Sequence, residues 1–524
     1  MNQIEKLSKR LQTALKLSGF SIRREFCSLL VEKFSEQNID LWDNTAFDTV
    51  VKNLCNSLEK QCLSEKSIER EHIDRAIEVC LHSGYDRHES IFSVINAFDF
   101  PKLSFNPDRK LYYVDKSGSI FLSDADSKAK VFRDRYFTIL QRTKRNFEQA
   151  AMIREKDRLQ LQTIDYLLTL SYVTLEHTLI LGCLTQVSEG KWHLEDPTGM
   201  VELDLVHAKY HSGFFVENSF ILVNGYYEDR ILHVSTVVLP PGEEYKNSRF
   251  SFGSLNYFGG PSSAPLRDSE KLRNHLIQNK DNPILFFSDV WLDHPLVFEK
   301  LEILFDGFQD LPPVAFVFMG NFMSNSHGSE MMDDLKSLFK RLGELIMKFP
   351  NLSNNSQFVF VPGLSDPCTP HMVPRFGLPD YVTSDMKKVF PKAIFPTNPC
   401  KIQYCTREIV LFRADLTPKF LQGTLFKPSK EDIGDCLKKT IISQGHLSPL
   451  SLNSLTVHWN FDHCLRLYPL PDLVVIGDKF EAYGGEYKDC HVINPGSFCE
   501  NGFEFKAYIP SANAIGDCDL DINS

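Results

Sequence analysis

Apolar residues recur at helical spacing in the first part of the chain. Ile4, Leu7, Leu11 and Leu15 lie three or four positions apart, and Gly19 follows them as a candidate C-cap. The same spacing returns in residues 26–34, 50–58 and 73–81. We therefore predict an all-α module over residues 1–98.

Residues 99–160 show no clear period before position 128, where a locally basic helix is predicted. Between positions 131 and 160 there are eight Lys or Arg residues and four Asp or Glu residues. The pattern predicts a linker whose first part, about residues 100–130, is a mobile tether. A solvated helix is favoured for the basic run 131–145, with DNA contact as the alternative.

Residues 161–250 alternate in short apolar runs that predict strands. The sequence Asp196-Pro197-Thr198-Gly199 stands between two of these runs and indicates a hairpin turn. Five or so strands of this kind are typical of an OB-fold β-barrel. Residues 165–234 hold ten acidic and three basic side chains, which favours a protein partner over a phosphate backbone.

Residues 251–512 alternate strands and helices at first and then turn to strands. Met331, Leu335, Leu338 and Leu342 mark one face of a well-defined helix. This pattern predicts an α/β sandwich of two sheets with flanking helices. We expect residues 513–524 to form an acidic, frayed tail.

Length and charge set limits on the class of protein. The 524 residues suffice for several domains, with 43% hydrophobic and 24% charged residues. The formal net charge of −11 argues against a polyanion binder, so DNA contact is expected to be indirect or weak. The 41 Phe residues predict large cores or apolar interfaces.

Thirteen cysteines are scattered without a C-x-x-C pair, which predicts reduced thiols in the cytosol or nucleus and no zinc module. The first ten residues have no apolar signal region. Because no run of about 18 apolar residues occurs, no membrane span is expected.

Four strand-then-loop segments carry the candidate chemistry. The segments PILFFSDVWLD, VAFVFMGNFMS, QFVFVPGLSD and VVIGDKF each end in a polar loop after an apolar run. Their order resembles the calcineurin-like metallophosphoesterases, whose loops read D-x-H, G-D-x-x-D, G-N-H and G-H-x-H. The candidate ligand positions implied by this resemblance are Asp289, Trp291, Asn321, Ser324, Leu364, Ser365, His446, Asp478 and Phe480.

Most of these positions hold residues that do not bind metals. A two-metal site holds its ions about 3.5–4 Å apart with carboxylates and imidazoles. Trp291, Leu364 and Phe480 supply neither group. We therefore predict no catalytic residue, no metal and no cofactor, and we expect Trp291 and Phe480 to pack into the vacated space.

Longer segments extend the resemblance to nearly the whole chain from residue 100 onward. FRDRYFTILQRT, LEDPTGMVELDL, TNPCKIQYCTREI, SQGHLSPL and INPGSF are similar to the B-subunits of the eukaryotic replicative DNA polymerases. The resemblance implies a non-catalytic accessory subunit that acts in the nucleus. It also implies that the chain binds the C-terminal zinc-bearing domain of the catalytic subunit, and that residues 1–80 dock to the replicative helicase through GINS.

Two other classes of function remain as alternatives. The first is a divergent metallophosphoesterase or nuclease that uses Asp289 and His446 with one metal ion. The second is a single-strand DNA-binding protein that uses the barrel. The ligand count disfavours the first alternative, and the acidic balance of the barrel disfavours the second.

Overall fold

The fold is given by a computed structural model. It describes residues 3–36 and 90–520 apart from short gaps, and only scattered positions between 47 and 77. The gaps in the two long stretches are 21, 107, 116–117, 119, 154–159, 171–173, 254, 263, 326–330 and 368–370.

The chain begins with two amphipathic helices, Gln3–Leu17 and Arg24–Glu36. Leu11, Leu15 and Phe34 are fully or almost fully buried between them. The first helix ends at Leu17, and Gly19 caps it as predicted, with a φ of +89° and a hydrogen bond from its backbone N–H to the Lys16 carbonyl at 3.0 Å. The described positions within 47–58 and 70–77 are helical, whereas Leu81 lies outside the described residues.

The predicted all-helical module does not extend to residue 98. Phe92–Asn96 is a strand (β1) that pairs antiparallel with Cys400–Tyr404 (β14), far along the chain. A 3-10 turn, Ala97–Asp99, follows it. The short apolar segment FSVIN has no helical period, and a distant strand completes its hydrogen bonding. The N-terminal boundary of the sandwich therefore lies before residue 92.

The predicted linker over residues 99–160 is likewise folded where the structure describes it, so the expected tether at 100–130 is wrong. Leu103–Asn106 (β2) and Leu111–Val114 (β3) form an antiparallel hairpin. A 29-residue helix, Ala125–Ile153, follows and is called the long helix below. It packs on the barrel through Tyr136 and Ile139.

A closed barrel follows the long helix and a short helix, Ile164–Thr169. The first long strand, β4, pairs with β5 and with β8. An additional pairing between β6 and β9 closes the sheet, whose strand order is β6-β5-β4-β8-β9-β7. Asp196 and Gly199 pair across the predicted hairpin, and Pro197 and Thr198 form its turn. The barrel strands are Leu175–Ser188 (β4), Lys191–Asp196 (β5), Gly199–Asp204 (β6), Lys209–Tyr210 (β7), Phe220–Glu228 (β8) and Ile231–Val238 (β9).

Two sheets form the sandwich that the sequence predicts. One has the strand order β12-β11-β10-β20-β21, and the other has the order β1-β14-β15-β17-β19-β18. A short two-stranded pairing of β13 with β16 lies apart from them. The strands are Ile284–Ser288 (β10), Ala315–Met319 (β11), Gln357–Val361 (β12), Met372–Val373 (β13), Cys400–Tyr404 (β14), Arg407–Arg413 (β15), Thr456–Val457 (β16), Leu473–Gly477 (β17), Tyr483–Tyr487 (β18), Cys490–Asn494 (β19), Phe505–Ile509 (β20) and Ala514–Cys518 (β21).

Helices cover the outer faces of both sheets. Leu335, Leu342 and Ile346 are buried on the predicted helix face, whereas Leu338 is only partly buried. The helices around the sandwich are Tyr245–Arg249, Glu270–Gln278, Val297–Phe308, Met331–Met347, Pro350–Asn355, Asp380–Val389, Thr417–Gly423 and Ile433–Gln444, with 3-10 turns at Leu266–Asp268, Lys430–Asp432 and Trp459–Leu465.

The barrel packs directly against the sandwich, and Phe214 and Val216 of the barrel segment join a core cluster of the sandwich. The ring centroids of Phe214 in the barrel and Phe420 in the sandwich lie 5.2 Å apart. Gln444 accepts a hydrogen bond from the Phe220 backbone N–H at 2.9 Å and donates to its carbonyl at 2.7 Å. These buried contacts join the two units directly.

The expected acidic tail begins later than residue 513. Ala514–Cys518 pairs antiparallel with β20 as the edge strand of its sheet, and Tyr508 pairs with Ile515. Asp517 forms an ion pair with the largely buried Lys506. In the described part of the chain, no helix is long and apolar enough to cross a membrane.

Candidate functional site

The predicted ligand positions lie where strands of both sheets end. The parallel strands β10, β11 and β12 end at the same edge of their sheet. Asp289 directly follows β10, and Asn321 lies two positions after the end of β11. In the other sheet, the parallel strands β15 and β17 end at Arg413 and Gly477. The loops after these strands meet because parallel strands present their carboxyl ends together.

A guanidinium lies at the centre of these loops. Arg413 and Asp289 are both fully buried, and Arg413 Nη2 donates to Asp289 Oδ1 at 2.8 Å. Arg413 Nη1 donates to Asp415 Oδ1 at 2.8 Å and to the Gly477 carbonyl at 3.0 Å. Arg413 Nε donates to the Gly320 carbonyl. One side chain therefore connects loops from both sheets.

The electrostatics of Arg413 keep it charged. Burial alone would lower the pKa of its guanidinium, but the carboxylates of Asp289 and Asp415 outweigh this and raise the pKa above its ordinary value. Arg413 is therefore a permanent cation beside Asp289, the candidate ligand of the first loop that carries a carboxylate.

Asn321 stabilises the loops through hydrogen bonds. Its backbone N–H donates to Asp289 Oδ1 at 3.1 Å, and its side-chain oxygen accepts from the Ser365 backbone N–H at 3.0 Å. Asn321 Nδ2 lies 3.5 Å from the same Asp289 oxygen. These contacts bring Asp289, Asn321 and Ser365 together as predicted neighbours.

Asp478 caps a helix. Its Oδ2 accepts from the backbone N–H groups of Leu416 and Thr417 at 2.9 and 2.7 Å, where the helix Thr417–Gly423 begins. Its Oδ1 accepts from the Phe480 backbone N–H at 3.1 Å. Burial raises the pKa of Asp478, and the backbone donors oppose that effect.

Trp291 and Phe480 are both partly buried, and their packing into the vacated space stays a prediction. Trp291 is half-buried, and Lys479 Nζ lies 5.9 Å from the centroid of its ring. Phe480 is partly buried against the core of the second sheet, as is Leu364. Ser324 is exposed and donates to Asp293 Oδ2 at 2.6 Å.

His446 belongs to a different cluster. Its Nδ1 accepts from the Ser448 backbone N–H at 3.1 Å, and its Nε2 lies 3.3 Å from Asp462 Oδ1 without hydrogen-bond geometry. Asp462 also pairs with Arg135 of the long helix. Burial, together with Arg135, lowers the pKa of His446 to about 4. The imidazole is therefore neutral at physiological pH and lies among packing groups.

The donor set does not fit a pair of divalent ions. Among the described residues, no group of three or more His, Cys, Asp or Glu side chains is placed to hold a metal ion. Asp289 Oδ2 is buried without a hydrogen-bond partner, but a single catalytic zinc normally needs three protein ligands. The neighbouring guanidinium would repel the cation.

Sequence reasoning missed three buried charged residues at these loops. They are Arg413, Asp366 and Arg375. Asp366 accepts hydrogen bonds from the backbone N–H groups of Phe322 and Gly363 at 2.8 and 2.7 Å. Arg375 donates a hydrogen bond to the Gly363 carbonyl. Burial raises the pKa of Asp366. The available signal was an Arg at the end of the fully apolar run in REIVLFRAD.

The basic run 131–145 is mostly used inside the protein. Arg135 is buried against Asp462, and Arg142 is 1% exposed and donates to the Ser443 carbonyl. Arg145 Nη2 pairs with Glu243 at 2.8 Å. Only Arg133 and Lys144 of this run are exposed. The predicted solvated helix is therefore wrong for most of this run, because three of its five cations are used in contacts within the protein.

Comparison with known families places the architecture in one class. The family model of the DNA polymerase alpha/epsilon B-subunits matches residues 284–484. The model "DNA polymerase epsilon subunit 2-like, OB-fold domain" matches residues 125–241, and "DNA polymerases epsilon N terminal" matches residues 3–80. The class is that of the B-subunits of replicative polymerases.

Individual relatives narrow this class. DNA polymerase epsilon subunit 2 of Bos taurus and that of Homo sapiens are each 39% identical to this chain, over 98% of it and 99% of their own length. The Drosophila melanogaster protein of the same name is 35% identical over 98% of both chains. The chain belongs to the DNA polymerase epsilon subunit 2 family, whose members are accessory subunits of that polymerase.

Solved structures match more weakly. An archaeal phosphodiesterase matches 45% of this chain and 98% of its own, with 14% identity and a TM-score of 0.26.

Proposed function

We propose that this chain is a non-catalytic accessory subunit of the DNA polymerase epsilon holoenzyme with an inactive phosphoesterase domain. The observation that carries the proposal is the contact between Asp289 and Arg413. Asp289, the candidate ligand of the first loop, accepts a hydrogen bond from the Arg413 guanidinium at 2.8 Å. Neutral side chains stand at most of the other candidate ligand positions.

The sandwich and the barrel act as a scaffold for the catalytic subunit in this proposal. The direct packing between them, with Phe214 against Phe420, supports one continuous surface. The partner is the C-terminal zinc-bearing domain of the catalytic subunit, and an obligate interface of this kind buries well over about 2,000 Å². The free chain then exposes apolar surface and is expected to self-associate.

The helices of residues 1–80 act as a docking module for the replicative helicase, through GINS. Their 12 basic and 13 acidic residues nearly cancel, which supports a protein partner rather than DNA. This arrangement assigns the chain to leading-strand replication in the nucleus, where it connects the catalytic subunit to the helicase.

The chemical part of the proposal is tested by a nuclease assay. The purified chain should not cleave single- or double-stranded oligonucleotides in the presence of manganese, and Asp289→Ala should leave that background unchanged. A manganese-dependent activity that disappears in Asp289→Ala would contradict the proposal.

The scaffolding part is tested by co-expression. The full chain should co-purify with the C-terminal domain of the catalytic subunit and become more soluble. A chain that lacks residues 1–80 should retain this partner and lose GINS. Loss of both partners, or retention of both, would refute the assignment of the two surfaces.

A further inference from the structure

A cleft of about 470 Å³ lies where the long helix, the barrel and one loop of the sandwich meet. Its size is within the range of clefts that bind small ligands and short peptide anchors. The long helix contributes Lys128, Phe132, Arg133 and Tyr136, and the sandwich contributes residues 451–453. The barrel contributes Cys183, Thr185, Glu195, Asp196, Glu217 and Phe220, among others.

The barrel wall carries two carboxylates that no cation neutralises. Neither Glu195 nor Glu217 has an ion-pair partner within the described residues. The only hydrogen bond that their side chains form there comes from Thr185 Oγ1 to Glu195 Oε2 at 3.4 Å. Asp196, on the same wall, is different because its oxygens accept from Ile164, Thr198 and Gly199. Glu195 and Glu217 are therefore available to a ligand.

Both carboxylates act on the floor of the cleft. Burial raises the pKa of the Cys183 thiol to about 12, and the negative charges of Glu195 and Glu217 contribute to this rise. The thiol is thus neutral and adds no charge to this wall. Glu195 is exposed and Glu217 is half-buried, so a cationic group of a ligand can reach both carboxylates.

The floor is aromatic and includes one hydroxyl without a partner. Tyr136 is 7% exposed, and its ring packs against Phe137 and Phe220 at centroid distances of 5.7 and 6.2 Å. Its hydroxyl has no hydrogen-bond partner in the described part of the chain, although the residue lines the cleft. Because the hydroxyl of a largely buried tyrosine normally finds a partner, this one also indicates a ligand.

The helix wall has the opposite charge. Lys128 and Arg133 are exposed, and neither forms an ion pair with a described residue; Lys128 Nζ only lies 6.0 Å from the Trp459 ring centroid. A complementary ligand therefore presents a cationic group to the barrel wall and an anionic group or carbonyl oxygens to the long helix. Phe132 and Phe220 lie between the two walls and suit an apolar group.

We propose that this cleft binds a peptide segment of a protein partner in which an apolar side chain lies between a basic and an acidic residue. The basic side chain pairs with Glu195 and Glu217, the apolar side chain covers Phe132 and Phe220, and the acidic group faces Lys128 and Arg133. Nucleic acid fits less well, because residues 165–234 carry ten acidic and three basic side chains and would repel phosphates.

The test uses the full chain and two fluorescein-labelled capped peptides. Each has glycine and serine flanks around arginine, leucine and glutamate, in either order, because the direction of the segment in the cleft is open. Fluorescence polarisation at low salt should show saturable binding of at least one peptide. The double variant Glu195→Gln with Glu217→Gln should weaken it about fivefold or more, and Arg133→Gln by a smaller factor.

Matched variants control for net charge. Glu176→Gln with Glu189→Gln removes two exposed barrel carboxylates outside the cleft, and Lys144→Gln removes one exposed cation of the same helix. These controls should bind as wild type, and a peptide with glutamine in place of arginine should bind more weakly. All of the variants change exposed or half-buried side chains, so equal thermal midpoints are expected.

Three results would overturn the proposal. One is the absence of saturable binding to either peptide. Another is an equal loss of binding in the cleft and control variants, which would indicate non-specific charge attraction. The third is tighter binding of a single-stranded oligothymidylate than of the peptides, reduced by Arg133→Gln, which would assign the cleft to nucleic acid.

Discussion

Arg413 Nη2 lies 2.8 Å from Asp289 Oδ1, and neither side chain is exposed to solvent. The guanidinium joins loops that follow strands of both sheets of the sandwich, through Asp289, Gly320 and Gly477. The sequence resemblance to the metallophosphoesterases implies that the corresponding loops would carry metal ligands. Here a side chain of the protein itself supplies the positive charge.

Arg413→Met should destabilise the chain by about 3–5 kcal/mol, because it leaves Asp289 buried without its cation. The double variant Asp289→Asn with Arg413→Met should recover part of this loss, since no unpaired charge remains. Urea unfolding of the single and double variants measures the coupling energy between the two residues.

An exposed ion pair provides the control. Lys388 Nζ lies 2.7 Å from Asp385 Oδ1 at the surface, and Lys388→Met should change stability by less than about 1 kcal/mol. If Arg413→Met behaves like Lys388→Met, the contact does not hold the loops together.

Trp291→Ala should have a small effect. The indole is only partly buried, so its truncation should destabilise the chain by clearly less than the loss of about 3–5 kcal/mol that is typical of a buried aromatic residue. Phe287→Ala is the comparison, because Phe287 is fully buried against Phe318, Phe498 and Phe505. Equal shifts of the thermal midpoint in the two variants would show that Trp291 packs as a core residue.

His446 should make the stability of the chain depend on pH. Burial lowers its pKa to about 4, below the value of about 6.5 for an unfolded histidine. The unfolded chain therefore binds more protons between these values. The contribution of the neutral His446 to the free energy of unfolding is complete above about pH 6.5 and is lost as the pH falls toward 4.

His446→Asn should lower the number of protons that unfolding takes up in this pH range by up to one. The side-chain oxygen of the introduced asparagine can still accept a hydrogen bond from the Ser448 backbone N–H. The measurement is the free energy of unfolding against pH, and His207→Asn, at an exposed position of the barrel, is the control. Identical slopes for wild type and His446→Asn would count against the buried neutral imidazole.

Arg135→Met should loosen the long helix. Arg135 pairs with Asp462, and both side chains are almost fully buried, so removal of the guanidinium leaves a buried carboxylate whose remaining neighbours are His446 and Arg466. In the wild type, limited proteolysis should spare residues 125–150, and in Arg135→Met the helix should become a cleavage site. Cleavage of this helix in the wild type would contradict its role as a packed element.

The elements with strong local periodicity could be predicted from the sequence. The helix Met331–Met347 and the turn at Asp196 to Gly199 follow from apolar spacing and turn chemistry within a few residues. The strand β1 could not, because its short segment pairs with β14 about 300 residues away. The edge strand Ala514–Cys518 was missed for a related reason, since only its pairing with β20 orders it.

The candidate site shows the same limit. The positions of Asp289, Asn321 and Asp478 after apolar runs could be predicted, because strand ends are marked by the change from apolar to polar residues. The partner of Asp289 could not, since Arg413 lies 124 residues away and neither local spacing nor composition pairs the two. His446 was grouped with the loops by its resemblance to a family position, although its contacts are with Ser448 and Asp462.

Metal binding by the purified full chain tests the central claim most directly. The chain should be dialysed against manganese and zinc, freed of excess ion, and analysed for metal content by mass spectrometry, with Asp289→Asn in parallel. Because Arg413 neutralises Asp289, we predict far less than one bound ion per chain in both proteins. One or more ions per wild-type chain, lost in Asp289→Asn, would show that the loops still form a metal centre and would contradict the account.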